Sequence, residues 1–280
     1  GASPDVLTIS LLPTARKTMV PRFFYFLIAS DSFISYSMKH AKGAKMPRGD
    51  KAAILKFRVP VLPLEIQLEI MNVLDTFTEL EAELEVELEA EMEARRKQYK
   101  HYRDSLLTFD EASTKRESVR WAALSEVGEF TRGRRFTNKD FAESGIPCIH
   151  YGEVYTHYGL SATETKSFVR PELAPSLRMA KTGDLIIAGT GENVEDIGKA
   201  VAWLGKGEVA VHDDCYIFRH SLNPKYAAYF FQSGRFNEQK IKYAAGAKMI
   251  RIQSEGLQKI QIPVPALAEQ ARIVAILDKL

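Results

Sequence analysis

The residues of this chain best suited to chemistry are hydrogen-bonding forks and aromatic planes. Thr131-Arg132-Gly133-Arg134-Arg135-Phe136-Thr137-Asn138-Lys139 gathers guanidinium groups, an ammonium, hydroxyls and a carboxamide in one short stretch. A guanidinium fork matches phosphate oxygens or the O6/N7 edge of guanine, and a carboxamide matches adenine. A solvated basic turn is the competing reading of Arg132, Arg134, Arg135, Thr137, Asn138 and Lys139. The stretch His150 to Tyr158 reads as one loop or hairpin, in which Tyr151, Tyr155 and His157 offer polar tips and flat faces to a base; packed aromatics are the plainer alternative. The motif Gly-Ala-Lys-Met-x-Arg occurs twice, placing Lys45 and Arg48 in one copy and Lys248 and Arg251 in the other. A basic pair that recurs in both copies of one motif suits a task common to the two, for which phosphate anchoring fits better than base reading.

Catalytic chemistry is poorly supplied. Asn223-Pro224-Lys225-Tyr226 approaches the Asn/Asp-Pro-Pro-aromatic motif with which amino-methyltransferases hold a target base, but it lacks the second proline. Its duplicate, Val20-Pro21-Arg22-Phe23, has no polar first residue, so a helix-capping Asn before a helix-opening Pro explains the stretch. Gly189-Thr190-Gly191 has neither the third glycine nor the strand-helix setting of a cofactor loop and reads as a turn between strands. His212-Asp213-Asp214 and the acids between Glu192 and Asp196 read as surface or turn carboxylates and not as a nuclease metal site. There is no P-loop. Cys148 and Cys215 are the only cysteines, so neither a disulfide framework nor a zinc site is expected, and no metal is assigned.

The elements that must carry these groups are legible from period and charge. A chain of 280 residues with 45% hydrophobic content can bury one or two cores. No apolar run reaches a membrane span and the start lacks signal-peptide character, so a cytoplasmic location is expected. The net charge of +2 conceals segregation: residues 1–57 carry nine Lys/Arg against three Asp/Glu, whereas residues 79–93 carry eight Glu and no base. That acidic run, TELEAELEVELEAEMEA from Thr78, alternates strictly yet is built from strong helix formers. Its unit is four residues, which stacks Leu80, Leu84, Leu88 and Met92 in one i,i+4 row. The whole stretch from Leu64 to Phe109 contains no Gly or Pro and predicts a single helix of about 45 residues, roughly 68 Å long. At an offset of 203, residues 21–77 align with 224–280 without a gap: Gln67 meets Gln270 and Asp75 meets Asp278. Each copy predicts a short aromatic helix (Pro21 to Phe33, Pro224 to Phe236), a basic loop, a strand (LKFRVPV, LQKIQIPV) and the start of a long helix. Between Val119 and Ile262 short β-rich segments dominate, and residues 110–118 read as a polar linker. The expected class is α+β.

The order VPVLPLEIQLEIMNVLDTF, the glutamate-leucine tetrapeptides, RKQYKHYRDSLLTF at Arg96 to Phe109, WAALSEVGEFTRGRRFTN and IPVPALAEQARIVAILDKL resembles the specificity (S, HsdS) subunit of type I restriction-modification enzymes over almost the whole chain. Target recognition domains joined to coiled-coil spacer helices are what this resemblance implies. Residues 1–57 become the end of a first recognition domain, 58–110 the conserved spacer with its long helix, 117–262 a second recognition domain and 263–280 the start of a second spacer helix. It further implies a non-catalytic subunit that recognises a bipartite double-stranded DNA target. Methyltransferase (M) and restriction (R) subunits would then bring S-adenosylmethionine, ATP and magnesium, with no cofactor in this chain. Both ends depart from the two-domain pattern, leaving open a fragment or a half-type subunit that pairs with a second copy of itself. The reading from another class is a non-enzymatic coiled-coil adaptor with basic lobes.

Overall fold

The computed structural model describes residues 6–43, 48–109 and 119–280, so Lys45 and the linker 110–118 lie outside the described residues. Two compact units are present, Gly1–Glu93 and Ala94–Leu280. The first contains α1 (Pro21–Ala29), α2 (Asp31–Lys39), α3 (Lys51–Ile54) and the beginning of α4 (Leu64–Leu107). Pro21 opens α1, where a missing N–H costs nothing. The single aromatic helix expected over Pro21 to Phe33 is in fact two. Ser30 breaks it, because its Oγ accepts the Phe33 N–H and caps α2. Asp50 caps α3 in the same way through Ala52 N and Ala53 N. The 44-residue α4 spans about 66 Å, close to the predicted length. Leu80, Leu84, Leu88 and Met92 lie along it with exposures between 47% and 63%.

The second unit takes in the end of α4 and continues with β1 (Arg120–Ala123), α5 (Leu124–Val127), β2 (Gly128–Arg132), β3 (Phe141–Ala142), β4 (Ile146–Ile149), α6 (Tyr151–Thr156), β5 (Ser161–Ala162), β6 (Ser167–Val169), β7 (Met179–Ala180), β8 (Leu185–Ala188), β9 (Thr190–Gly191), β10 (Ala200–Trp203), β11 (Val209–Val211) and β12 (Cys215–His220). It closes with α7 (Pro224–Gln232), α8 (Gly234–Lys240), β13 (Ala244–Ala245), β14 (Ile250–Ile252), α9 (Ser254–Gln258), β15 (Gln261–Val264) and α10 (Leu267–Leu277). The class is α+β, as expected. Two five-stranded sheets, ordered β2-β12-β8-β10-β5 and β3-β6-β4-β11-β7, form its centre. The first sheet is covered on both faces, which is why LIIA and AVAW read as unbroken apolar runs. With period two, Leu185, Ile187, Ala200 and Ala202 meet Tyr226, Phe230 and Phe231 of α7, while Ile186, Ala188 and Val201 meet Val154 of α6 and Ile149 and Val211 of the second sheet. The end of α4 is built into the first of these cores: Leu107 is buried there, and Asp104 Oδ1 accepts the Gly234 N–H at 3.1 Å at the start of α8.

The 203-residue duplication is physical. Gln67 accepts the Val20 N–H at 2.9 Å and donates to Leu62 O at 2.6 Å; Gln270 accepts the Asn223 N–H and donates to Pro265 O, both at 2.8 Å. Arg22–Asp75 recurs as Lys225–Asp278. Lys42 bridges Arg48 as Ala245 pairs with Arg251, and Gly43 (φ 104°) and Gly246 (φ 124°) supply the left-handed turn in both. Pro224 to Phe236 is likewise split, with Ser233 capping α8. One expectation fails in one copy only: LKFRVPV forms no strand, whereas Gln261–Val264 does. β15 exists by pairing antiparallel with β1, from Arg120↔Val264 to Ala123↔Gln261.

Candidate nucleic-acid interface

Gly133 brings the basic loop to its place. A Cβ there would lie 2.1 Å from His212 O and 2.3 Å from Val211 O, so only glycine lets this backbone rest directly on the turn between β11 and β12. Gly133 N donates to Cys215 O and Arg134 N to Val211 O, which seals the contact. Phe136 then plugs the loop into a small core with Cys148, Val169 and Ala210. Asp140 closes it by accepting Thr137 N at 2.7 Å, Thr137 Oγ1 at 2.8 Å and Arg170 at 2.7 Å. Those bonds, the Thr137 N–H foremost, hold the Asp140 carboxyl at about 2, below its usual range.

A second arm arrives from the duplicated motif. β14 pairs with β9 through Arg251↔Thr190, and Gly189 N donates to Asp214 O at 2.8 Å, tying that strand pair to the same turn. The result is an open cleft of about 740 Å³ lined by Arg132, Arg135, Thr137, Asn138 and Lys139 on one side, Arg251 on another and His212, Asp213 and Asp214 at the turn. Five residues of the predicted loop and one of the predicted anchors therefore converge. Arg134 is exposed outside the cleft, and Lys248 is exposed on the turn between β13 and β14. Arg48 occupies the corresponding bridge in the first unit. Lys45 lies outside the described residues.

The stretch His150 to Tyr158 is not a loop or hairpin. It forms α6, because His150 and Glu153 make a capping box in which Glu153 Oε2 accepts the His150 N–H and Glu153 also binds Ser167 Oγ. The helix sorts the three candidates. Tyr151 stands 6.3 Å from the His212 ring, next to the cleft; Tyr155 packs into the second core with Lys199 5.8 Å from its ring; His157 is exposed at the helix end. Burial pushes the Tyr155 hydroxyl up to about 12. Asn223 behaves as the capping reading requires, its Oδ1 accepting Tyr226 N at 3.2 Å ahead of Pro224. Thr190-Gly191 is a short buried strand and not the expected turn, since its backbone pairs with β14.

Sequence reasoning set His212, Asp213 and Asp214 aside as turn carboxylates, yet they stand in the cleft. One ligand atom from each lies within 4.8 Å of the others. The ring is committed elsewhere: Nδ1 accepts the Asp214 N–H at 3.2 Å and Nε2 faces Phe136 O, a backbone acceptor, at 3.1 Å. That leaves no lone pair for a metal. The available signal was Arg132-Gly133-Arg134, a glycine inside a basic run that demands close backbone contact with something distant.

Residues 3–94 and 118–280 match the Type I restriction modification DNA specificity domain. The chain belongs to this family. A type I restriction enzyme specificity subunit of Haemophilus influenzae is 30% identical over 283 residues, covering 94% of this chain and 65% of that protein. The EcoR124I/EcoR124II specificity subunit of Escherichia coli is 31% identical over 228 residues, 79% of this chain and 53% of its own length. A chain from a solved structure concerning complex assembly and conformational transition of the type I R-M system superposes with a TM-score of 0.66 at 20% identity, over 94% of this chain and 64% of that one, which speaks for the fold. The chain thus spans about half to two thirds of the length of these relatives. Among the described residues no helix is long and apolar enough to cross a membrane.

Proposed function

We propose that the chain acts as a non-catalytic DNA-reading part of a type I restriction-modification specificity subunit. The observation that carries this is the convergence of Arg132, Arg135, Asn138 and Lys139 with Arg251 in one open cleft, since the groups come from segments far apart in sequence. In this reading residues 117–262 read one half of a bipartite duplex target, residues 1–57 belong to a domain for the other half, and α4 sets the unread distance between them. The Glu row of α4 is repelled by phosphates and keeps the helix off the duplex, while Leu80, Leu84, Leu88 and Met92 form the row on which a second spacer helix packs. Methyltransferase and restriction subunits, carrying S-adenosylmethionine, ATP and magnesium, would act on the DNA this chain positions in the cytoplasm.

Lys248 and Arg251 anchor phosphates in this scheme. Replacing both with Ala weakens binding to all duplexes about equally and lowers the slope of log K against log salt by roughly one to two, at about 0.9 per phosphate contact. Binding to a randomised duplex pool, with and without methyltransferase subunit, tests both statements. Salt-insensitive or wholly unselective binding would favour the coiled-coil adaptor reading, and a changed base preference at constant slope would make these two residues base readers.

A further inference from the structure

The charged groups that line the cleft fall into two sets. Arg132, Arg135, Lys139 and Arg251 donate only, and the Asn138 amide does both. Asp213 and Asp214 bring ionised acceptors into the same space. Such groups do not suit a phosphate site, because each carboxylate repels the anion the arginines attract. Nor are they cancelled from within. Arg132 Nε donates to the backbone carbonyl of Asp213, at 2.6 Å, and not to its carboxylate. His212 Nδ1 lies 3.3 Å from Asp213 Oδ1, but its one lone pair accepts the Asp214 N–H, so in that arrangement it has no hydrogen to donate to the carboxylate. Asp214 has a partner of its own in Thr190 Oγ1, at 3.3 Å, which makes it the supporting member. Asp213, about one-third exposed, is the acceptor left facing the cleft.

We infer that Asp213 is a base-reading residue whose carboxylate accepts a hydrogen bond from an exocyclic amino group of the target. This rests on the DNA-reading assignment above and adds what the cleft selects. In the major groove the only base donors are cytosine N4 and adenine N6; thymine and guanine present O4 and O6 acceptors at the corresponding place. A carboxylate therefore separates amino-bearing from keto-bearing bases by attraction on one side and acceptor-acceptor repulsion on the other. Asn138, in the same cleft, is suited to adenine, so cytosine is the base expected opposite Asp213. The geometry also explains the arginines around it. They hold the backbone close enough for an acid to approach a polyanion, and their selectivity alone would be for phosphate or guanine.

The test compares the full chain with Asp213→Asn and Asp213→Ser, reading the sequences retained from a randomised duplex pool and the salt dependence of binding. Asn keeps the shape and adds donors. The expected result is that one position, restricted to cytosine or adenine in the unaltered chain, admits thymine or guanine with its discrimination reduced about tenfold, while other positions and the salt slope stay the same. Asp213→Ser should relax that position without creating a new preference. Enrichment of cytosine or of adenine by the unaltered chain identifies which amino group is read. An unchanged base preference with a uniform rise in affinity would overturn the inference, showing that Asp213 only repels phosphate. If the unaltered chain itself enriches no sequence, the DNA-reading assignment fails, a result distinct from the failure of Asp213 alone.

Discussion

Deleting Glu83 to Val86 removes one tetrapeptide from the interior of α4 while leaving every residue of the cleft in place. At 1.5 Å and 100° per residue, four residues shorten the helix by about 6 Å and rotate the chain beyond the deletion by about 40°. The far end of the helix is fixed within the second unit, where Leu107 is buried in the core and Asp104 is bonded to Gly234. A base pair turns by roughly 35°, given about 10 to 10.5 pairs per turn, and advances 3.4 Å. The rotation therefore matches the loss of one base pair, and the excess translation requires helix tilt. With a complete subunit assembled with methyltransferase, sequencing the methylated sites should show both half-sites unchanged and the unread spacer shorter, by one pair. Full activity at the original spacing would refute the ruler and reduce the repeat to a solvated face. Altered half-sites would show that α4 shapes base reading itself.

Replacing Gln270 with Ala strands the Asn223 N–H and the Pro265 carbonyl, each costing about 1–3 kcal/mol, so urea denaturation should show a loss of about 2–6 kcal/mol; a loss below about 0.5 would mean water or backbone shift replaces both bonds. His220 has its pKa lowered to about 4 by burial, so it folds neutral while the unfolded chain protonates near 6.5. Its depressed value makes stability full above about pH 6.5 and progressively lost on acidification towards pH 4, on the order of 3 kcal/mol, and His220→Asn should flatten that stretch of the stability-pH curve. If two copies pair through their spacer helices, sedimentation at tens of micromolar should show a dimer that Leu84→Glu disperses; a monomer with and without methyltransferase subunit would exclude the half-type arrangement.

What the sequence made legible was whatever leaves a local or periodic trace. The long helix could be placed to within two residues, because its composition holds no breaker and propensity sums over many turns. The duplication was visible as matching residues, and Gln67 and Gln270 proved to be the same backbone lock in both copies. Boundaries set by one side chain were missed: Ser30 and Ser233 each end an aromatic helix by capping the next, in stretches whose apolar pattern runs straight through. Partnership was invisible too. LKFRVPV and LQKIQIPV look alike, and the one that forms a strand does so by pairing with β1, a segment far away in sequence. The aromatic stretch at Tyr151 was misread because its helix rests on a capping box, a signal carried by two residues alone.

If the cleft reads DNA as proposed, its groups divide between the repeated frame and the stretch that joins the two copies. Arg251 belongs to the duplicated segment and sits in a strand whose counterpart bridge, Lys42 to Arg48, is present in the first unit. Arg132, Arg135, Asn138 and Asp213 belong to the stretch between the copies. A phosphate is the same at every base pair, so its anchor can be duplicated with the frame, whereas base edges differ between half-sites and their readers must vary independently. Exchanging residues 128–220 for the corresponding stretch of another family member should on this ground change the bases recognised while the salt slope set by Arg251 and Lys248 persists. A chimera whose salt slope matches that of the donor of the exchanged stretch would instead place the phosphate contacts within the exchanged segment and remove the anchoring role from the repeat.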